Sequence, residues 1–256
     1  MKVSIPTQIR IIKASGKEEF LSEEKLKNSL IRSGAGQELA DRVIKAIRLS
    51  IHDGMYTHKI HRLAHNLLKK FSKTCAFSYN IRQAIMELGP SGFPFERYIA
   101  ALLEHNGYKT TLDKILQGKC VTHEIDIIAQ KEGKLFLSEC KYHNSRGINC
   151  DIKVVLYIHA RFLDVVQKDI NKDFEQAWLF TNTKFSEDAI KYASCAGLRL
   201  TGWNYPNGNS LRDMISKSGL FPLTSLPDLS KEEKRKLLAE GIILARDVEK
   251  YRKIER

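Results

Sequence analysis

The stretch Thr122-His-Glu-Ile-Asp-Ile-Ile-Ala-Gln-Lys-Glu-Gly-Lys-Leu-Phe-Leu-Ser-Glu-Cys-Lys141 decides how the chain is read. Apolar and polar residues alternate on either side of Glu132-Gly133, the pattern of two half-buried strands joined by a two-residue turn. Such a hairpin places Asp126 opposite Glu139 and Glu124 opposite Lys141. Residues two apart on a strand share a face, so all four fall on one side of the sheet. Opposed Cβ atoms lie about 4.5–5.5 Å apart, which sets two carboxylates side by side next to an ammonium. The repulsion between Asp126 and Glu139 calls for an offset, and a divalent cation supplies one. Mg²⁺ suits such a site because it takes one or two carboxylates and completes its shell with waters and phosphate oxygens. Lys141 would then orient a water and stabilise charge developing on a phosphate. The same residues also fit an exposed edge hairpin in which Glu124 and Lys141 compensate one another.

Working outward, Gly89-Pro90-Ser91-Gly92-Phe93-Pro94 interrupts all periodicity and marks a domain boundary. A helix over about 95–107 follows, in which Glu96 shares a face with Ile99, Ala100 and Leu103. A charged group on that face is costly unless paired or metal-linked, although a first-turn acid is also favoured by the helix dipole. The pattern continues with strands at 108–116, 123–130 and 134–141, a helix at 152–168, a strand at 176–181, a helix at 185–196 and a strand at 198–203. This order predicts an α/β core with a mixed sheet over residues 89–215. In residues 216–256, Ser230 with Glu233 reads as a capping box, and the helix it opens ends at Gly241, giving a small helical hairpin.

Residues 1–88 begin with a strand at Ile9–Ile12, a turn at Ala14-Ser15-Gly16-Lys17 and a return through Glu18-Glu19-Phe20. Ser22 opens a helix, and apolar periodicity recurs around Val43, Ile60 and Ile85, so a hairpin plus four helices is expected. His61 and His65 share a helix face near His58, but no neighbouring Cys or carboxylate completes a metal site there.

The 256-residue chain is 43% apolar and 28% charged, enough to build a core without staples. Five widely spaced cysteines, an odd number with no Cys-x-x-Cys pair, point to reduced structural thiols. No apolar run reaches membrane-spanning length, and the opening Met-Lys-Val-Ser-Ile-Pro-Thr lacks a signal peptide's apolar stretch, so a cytoplasmic protein is expected. The formal charge of +12 divides as +8, +1 and +3 over residues 1–88, 89–215 and 216–256. Attraction for a polyanion or nucleotide is therefore strongest toward the ends of the chain.

Gly92-Phe93-Pro94-Phe95-Glu96, Asn106-Gly107-Tyr108, Glu124-Ile-Asp-Ile-Ile-Ala129, Glu139-Cys-Lys141 and Phe180-Thr-Asn-Thr-Lys-Phe-Ser186 with Ala189 together resemble the Mrr-type branch of the PD-(D/E)xK nucleases. The resemblance covers about 90–205. It implies a restriction-endonuclease-like fold and cleavage of DNA with Mg²⁺ or Mn²⁺, with Asp126 and Glu139 as metal ligands, Lys141 as the catalytic lysine and Glu96 as an additional helix acid. The usual Gly-Gly before the first acid is absent, and Cys140 stands between Glu139 and Lys141.

The first 88 residues are similar to the ATP-cone, a nucleotide-sensing module. That resemblance implies ATP or dATP as an effector, with Ile11, Lys13, Gly16, Glu19, Lys25, Thr57 and His61 around the nucleotide. Ala14 and Ser15 replace a basic residue and an acid usual in that module, and a Gly-containing turn in a +8 domain suits a DNA backbone as well as a nucleotide phosphate. The tail is distantly similar to half of a helix-hairpin-helix unit, or is a plain packing hairpin. Three functions follow: an endonuclease regulated by adenine nucleotide, a nucleotide-responsive DNA-binding or junction-recognition protein with little catalysis, or a nuclease whose first domain clamps DNA. Double-strand cutting needs two active sites, which makes a homodimer an expected partner state.

Overall fold

A computed structural model describes residues 9–13, 15–145, 147–168, 173–226 and 228–254. The opening Met1–Thr7, Ala14 and Pro227 lie outside the described residues. The chain forms two compact units, Met1–Arg82 and Gln83–Arg256.

In the first unit, β1 (Arg10–Ile12) and β2 (Glu18–Phe20) form the expected antiparallel hairpin. Gly16 takes a φ of +81° in its turn, a conformation that only glycine adopts cheaply. Ser22 caps α1 (Glu23–Arg32) by accepting the Lys25 N–H, and α2 (Gln37–Arg48) follows with Ala40, Val43, Ile44 and Ile47 on its buried face. A third strand, β3 (Met55–Tyr56), was not expected; it joins β1 in parallel, Ile11 against Met55. Its residues are too few to show a period.

Next come α3 (Thr57–Phe71), α4 (Lys73–Tyr79) and α5 (Ile81–Met86). The expected four helices are therefore joined by another, α4. Ser72 breaks the run: its backbone is extended, and its hydroxyl accepts the Cys75 N–H to start a new helix. The core of this unit gathers Ile11, Leu30, Val43, Ile47, Ile60, Ala64 and Leu68.

The division at Arg82/Gln83 falls ahead of residue 89, and the hydrogen bonds show why. The Ala84 carbonyl accepts the Thr224 hydroxyl at 2.7 Å, and the Met86 carbonyl accepts the Tyr142 hydroxyl at 2.8 Å. The end of α5 is thus tied to the second unit. The tail is tied there as well, because Tyr98, fully buried, donates its hydroxyl to the Leu220 carbonyl at 2.6 Å.

The second unit runs α6 (Phe93–His105), β4 (Lys109–Gln117), β5 (Thr122–Lys131), β6 (Lys134–Lys141), β7 (Asn149–Cys150), α7 (Ile152–Val166), β8 (Phe174–Thr181), β9 (Lys184–Phe185), α8 (Glu187–Cys195) and β10 (Arg199–Thr201). It closes with α9 (Leu211–Ser218), a 3-10 turn at Leu223–Ser225, α10 (Lys231–Ala239) and α11 (Ala245–Ile254). The main sheet has the order β10-β8-β6-β5-β4. β4, β5 and β6 pair antiparallel, whereas β6, β8 and β10 pair parallel, so the fold is the expected α/β arrangement with a mixed sheet. The parallel half requires crossovers, which α7 and α8 supply.

Helix α6 packs on β4, β5 and β6. Its Tyr98, Ile99, Leu102 and Leu103 are fully buried, each contributing about 1.5–3 kcal/mol of transfer free energy and holding the helix against the strands that carry the acids. Ile125, Leu137, Val165 and Phe174 form a second packing centre under α7. One expected element shifts: Phe185 belongs to β9, paired with β7, and Ser186 caps the helix that starts after it. Helix α9, with its own capping box at Ser210 and Asp213, was not expected. The box at Ser230 and Glu233 forms as the sequence requires.

Candidate active site

The β5–β6 hairpin has the expected register, with Lys131 against Lys134 and Ile127 against Ser138. Glu132 and Gly133 both take positive φ, +53° and +78°, as a twist-matched two-residue turn demands. Beyond Ile127 and Ser138 the ladder stops. The Asp126 side chain takes over: its Oδ2 accepts the Cys140 N–H at 2.7 Å. β6 meanwhile stays paired with β8 as far as Lys141 against Thr181. The two strands therefore open into a fork, and Asp126 and Glu139 stand in it.

This fork corrects one expectation. Glu124 and Lys141 do not meet as a cross-strand pair, because the antiparallel ladder ends before reaching them. Glu124 is exposed and gives its backbone carbonyl to Arg161 Nη1 at 3.0 Å. Lys141 is exposed, and no hydrogen bond or ion pair of its ammonium occurs among the described residues.

The four residues expected to act together do converge. Glu96, from the first turn of α6, lines one cavity of about 440 Å³ with Asp126, Glu139 and Lys141. Lys153, Tyr157 and Arg161 of α7 form the facing wall, at the four-residue spacing that aligns side chains along a helix. Glu139 is only 6% exposed. Burial, and then the Asp126 charge, push its carboxyl up to about 8 against the opposing pull of Arg161. Burial and the charges of Asp126, Asp113 and Glu124 raise Glu96 to about 7. Asp126 is raised as well, chiefly by burial, although the Cys140 N–H pulls the other way.

Burial first, and then mutual repulsion only partly offset by Arg161 at Glu139, holds these acids away from their ordinary range, and a hard cation would favour their ionised forms. Each strand acid has an oxygen to give. Asp126 Oδ1 and Glu139 Oε2 make no hydrogen bond among the described residues, whereas their partner oxygens are taken by Cys140 N–H and Arg161. No three His, Cys, Asp or Glu side chains among the described residues form a closed metal cage. Two carboxylate oxygens opening on a wet cavity fit Mg²⁺, which keeps waters and substrate oxygens in its shell, better than they fit a metal that needs a protein cage.

Comparison with known proteins now bears on this geometry. Residues 89–214 match the Mrr_cat restriction endonuclease family. An uncharacterised protein of Archaeoglobus fulgidus is 43% identical over 150 residues, spanning 59% of this chain and 83% of its own. Residues 89–214 form a restriction endonuclease domain. A crystal structure of AF1548, a protein of unknown function, superposes with a TM-score of 0.55 at 40% identity, over 62% of this chain and 83% of that one. The structure of Can2 from Sulfobacillus thermosulfidooxidans in complex with cyclic tetra-adenylate aligns with a TM-score of 0.36 at 15% identity, over 76% of this chain and 54% of that one, too loosely to carry an argument.

Within the restriction endonuclease unit, sequence reading missed Arg161, Tyr157, Lys153 and Asp113. Arg161 Nη1 donates to Glu139 Oε1, and Nη2 donates to the Tyr157 hydroxyl at 3.0 Å. Asp113 sits opposite Asp126 in β4, where the pairing skips a residue, and has a φ of +53°. Lys153, Tyr157 and Arg161 do carry a signal, a polar stripe at i, i+4 and i+8 on a mostly apolar helix. Asp113 carries none.

In the first unit, five of the residues expected around a nucleotide, Ile11, Glu19, Lys25, Thr57 and His61, line a cavity of about 210 Å³ with Tyr79. Lys13 and Gly16 do not line it. Lys13 pairs with Glu19 at 2.5 Å, which also lowers the Glu19 carboxyl, and Gly16 serves the hairpin turn. His61 stacks on Tyr79 with ring centroids 4.3 Å apart and lines this cavity. Among the described residues, no helix is long and apolar enough to cross a membrane.

Proposed function

We propose that the restriction endonuclease unit is a Mg²⁺-dependent endodeoxyribonuclease of the PD-(D/E)xK, Mrr-like type, hydrolysing phosphodiester bonds in DNA. One observation carries the reading: Glu96 from the helix and Asp126, Glu139 and Lys141 from two strands line a single cavity at a fork in the sheet. Asp126 and Glu139 would hold Mg²⁺ or Mn²⁺. Such an ion supplies Lewis-acid polarisation of a phosphoryl oxygen and a lowered pKa for bound water.

The remaining chemistry belongs to the protein. The Lys141 ammonium, on the cavity wall with no ion pair among the described residues, donates to the phosphate oxygens as negative charge grows on them, and helps hold the attacking water. Glu96, with a carboxyl near neutrality, is suited to accept a proton from that water. Lys153, at the mouth of the same cavity, contributes a positive charge toward the DNA backbone.

Nicking of supercoiled plasmid by the purified protein tests this reading. Asp126→Ala and chelator should each abolish nicking while binding of the same DNA persists. Nicking that survives chelator refutes the mechanism. A protein that binds DNA but never cuts, with Lys141→Ala indistinguishable from wild type, supports a binding or junction-recognition module instead.

The first unit enters the same proposal as an adenine-nucleotide sensor, supported by the cavity that gathers Ile11, Glu19, Lys25, Thr57 and His61. Millimolar ATP or dATP should raise its melting temperature, since a ligand of the native state alone stabilises that state. Absence of any shift in protein that still binds DNA favours a DNA clamp. Paired cuts on both strands by a homodimer would appear as linear product, with a matching mass in sedimentation.

A further inference from the structure

Arg161 is placed where a cation would act. Its guanidinium holds Glu139 through Nη1, which also reaches the Glu124 carbonyl at 3.0 Å, and it holds the Tyr157 hydroxyl through Nη2 at 3.0 Å. The same guanidinium lies 5.1 Å from the centroid of the Tyr157 ring. Both members of the Arg161–Glu139 pair are largely shielded, with side-chain exposures of 15% and 8%. Arg161 Nε is buried without a hydrogen-bond partner among the described residues.

Leaving a buried donor unpaired has a cost, so this position of Arg161 is not fully satisfied. Tyr157, by contrast, is 60% exposed at the mouth of the cavity and offers no steric barrier to movement outward. The pair is also redundant once a divalent ion is present. A dication on Glu139 Oε2 would repel the guanidinium on Oε1 and draw charge from the shared carboxylate, so its binding weakens the hold on Arg161.

We propose that Arg161 is an internal counter-cation: it holds Glu139 in the cation-free protein, is displaced when a divalent ion binds, and then faces the substrate phosphodiester. In the cation-free protein Arg161 acts as a positioning residue, through Glu139, and only after release does it meet the substrate. Its planar fork of donors suits bidentate contact with phosphate, and its stem on α7 keeps it within the cavity after release. The proposal rests on the reading of Asp126 and Glu139 as cation ligands given above.

Nuclear magnetic resonance of the arginine side chains, with Mg²⁺ as the probe, tests it on the full chain. The Arg161 Nε–H resonance, assigned by its loss in Arg161→Lys, should be slow to exchange without Mg²⁺. Mg²⁺ should shift it and speed its exchange in proportion to occupancy, and should do neither in Asp126→Asn. Tyr157→Phe, which removes one anchor of the retracted arginine, should tighten Mg²⁺ binding about fivefold, the equivalent of about 1 kcal/mol. A merely structural arginine predicts unchanged or weaker Mg²⁺ binding in Tyr157→Phe. Mg²⁺ binding that depends on Asp126 but leaves the Arg161 signal unmoved overturns the counter-cation role alone. No Asp126-dependent Mg²⁺ binding at all overturns both this role and the metal reading beneath it.

Discussion

Raising the pH in the presence of chelator should loosen the restriction endonuclease unit, and Glu139 should be the main cause. The carboxyl is pushed from an ordinary 4.5 to about 8 by burial and by Asp126. Between those values the folded protein binds a proton that the unfolded chain has released. Stability from this group is complete below the unfolded value and is lost as pH climbs through about 8. The slope approaches about 1.4 kcal/mol per pH unit where the two states differ by a full proton. Between about pH 6.5 and pH 8 the loss should total about 1–2 kcal/mol, or about 3–6 °C in melting temperature for a unit of this size. Glu96, at about 7, adds to the lower part of this range, reduced by its partial exposure. His143, whose imidazole is lowered by burial and by Lys141, works in the opposite sense below its ordinary value, which is why the scan starts at about pH 6.5.

Both tryptophans, Trp178 and Trp203, are buried in this unit, so intrinsic fluorescence follows its unfolding without interference from the first unit. Mg²⁺ should restore stability more at pH 8 than at pH 6.5. Glu139→Gln should flatten most of the slope. A wild-type melting temperature that is level across the range, or a slope that Glu139→Gln leaves intact, refutes the reasoning.

Further consequences can be checked separately. Lys141→Ala should lower the single-turnover nicking rate by about 10²–10³-fold, with little change in DNA affinity measured by gel shift. Gly118→Ala should cost about 1–3 kcal/mol in denaturant unfolding, because a Cβ there would lie 2.1 Å from Asp164 Oδ2 and 2.8 Å from the Val121 carbonyl. That carboxylate is committed, accepting the Cys120 N–H at 2.8 Å and His123 at 2.7 Å, so it has little freedom to retreat. Lys25→Ala should remove any ATP-induced rise in the melting temperature of the first unit while leaving its unliganded melting point near wild type, since Lys25 lines the cavity from an exposed helix face.

The elements legible in advance were those with a long enough period or a strong enough terminus. β6 was expected at 134–141 and spans those residues, because its turn, its alternation and its last charged residue all mark the same limits. The Ser22 and Ser230 caps were legible because a hydroxyl or carboxylate at a fixed offset is a local signal. β3, β7 and β9 are two residues each, shorter than any period, and they exist only because a distant strand lies beside them. Helix α4 escaped for a different reason. Ser72 divides what reads as one polar interruption into the end of one helix and the start of the next.

At the site, Asp126 and Glu139 could be paired from sequence because a two-residue turn fixes register by simple geometry. That geometry holds only while the ladder lasts. It ends at Ile127 and Ser138, because Asp126 bonds the Cys140 N–H with its side chain while β6 commits its other edge to β8. The compensating Glu124–Lys141 pair drawn from the same register therefore never forms. This difference has a chemical consequence. A Lys141 paired with Glu124 would have its charge partly neutralised, whereas the fork leaves its ammonium on the cavity wall with no ion pair among the described residues and leaves Glu139 in need of another partner. That partner, Arg161, comes from α7 across a parallel crossover, a contact that no local pattern in β5 or β6 encodes. The end of the antiparallel ladder thus both turns the acids toward the cavity and creates the demand for a counter-charge that Arg161 meets.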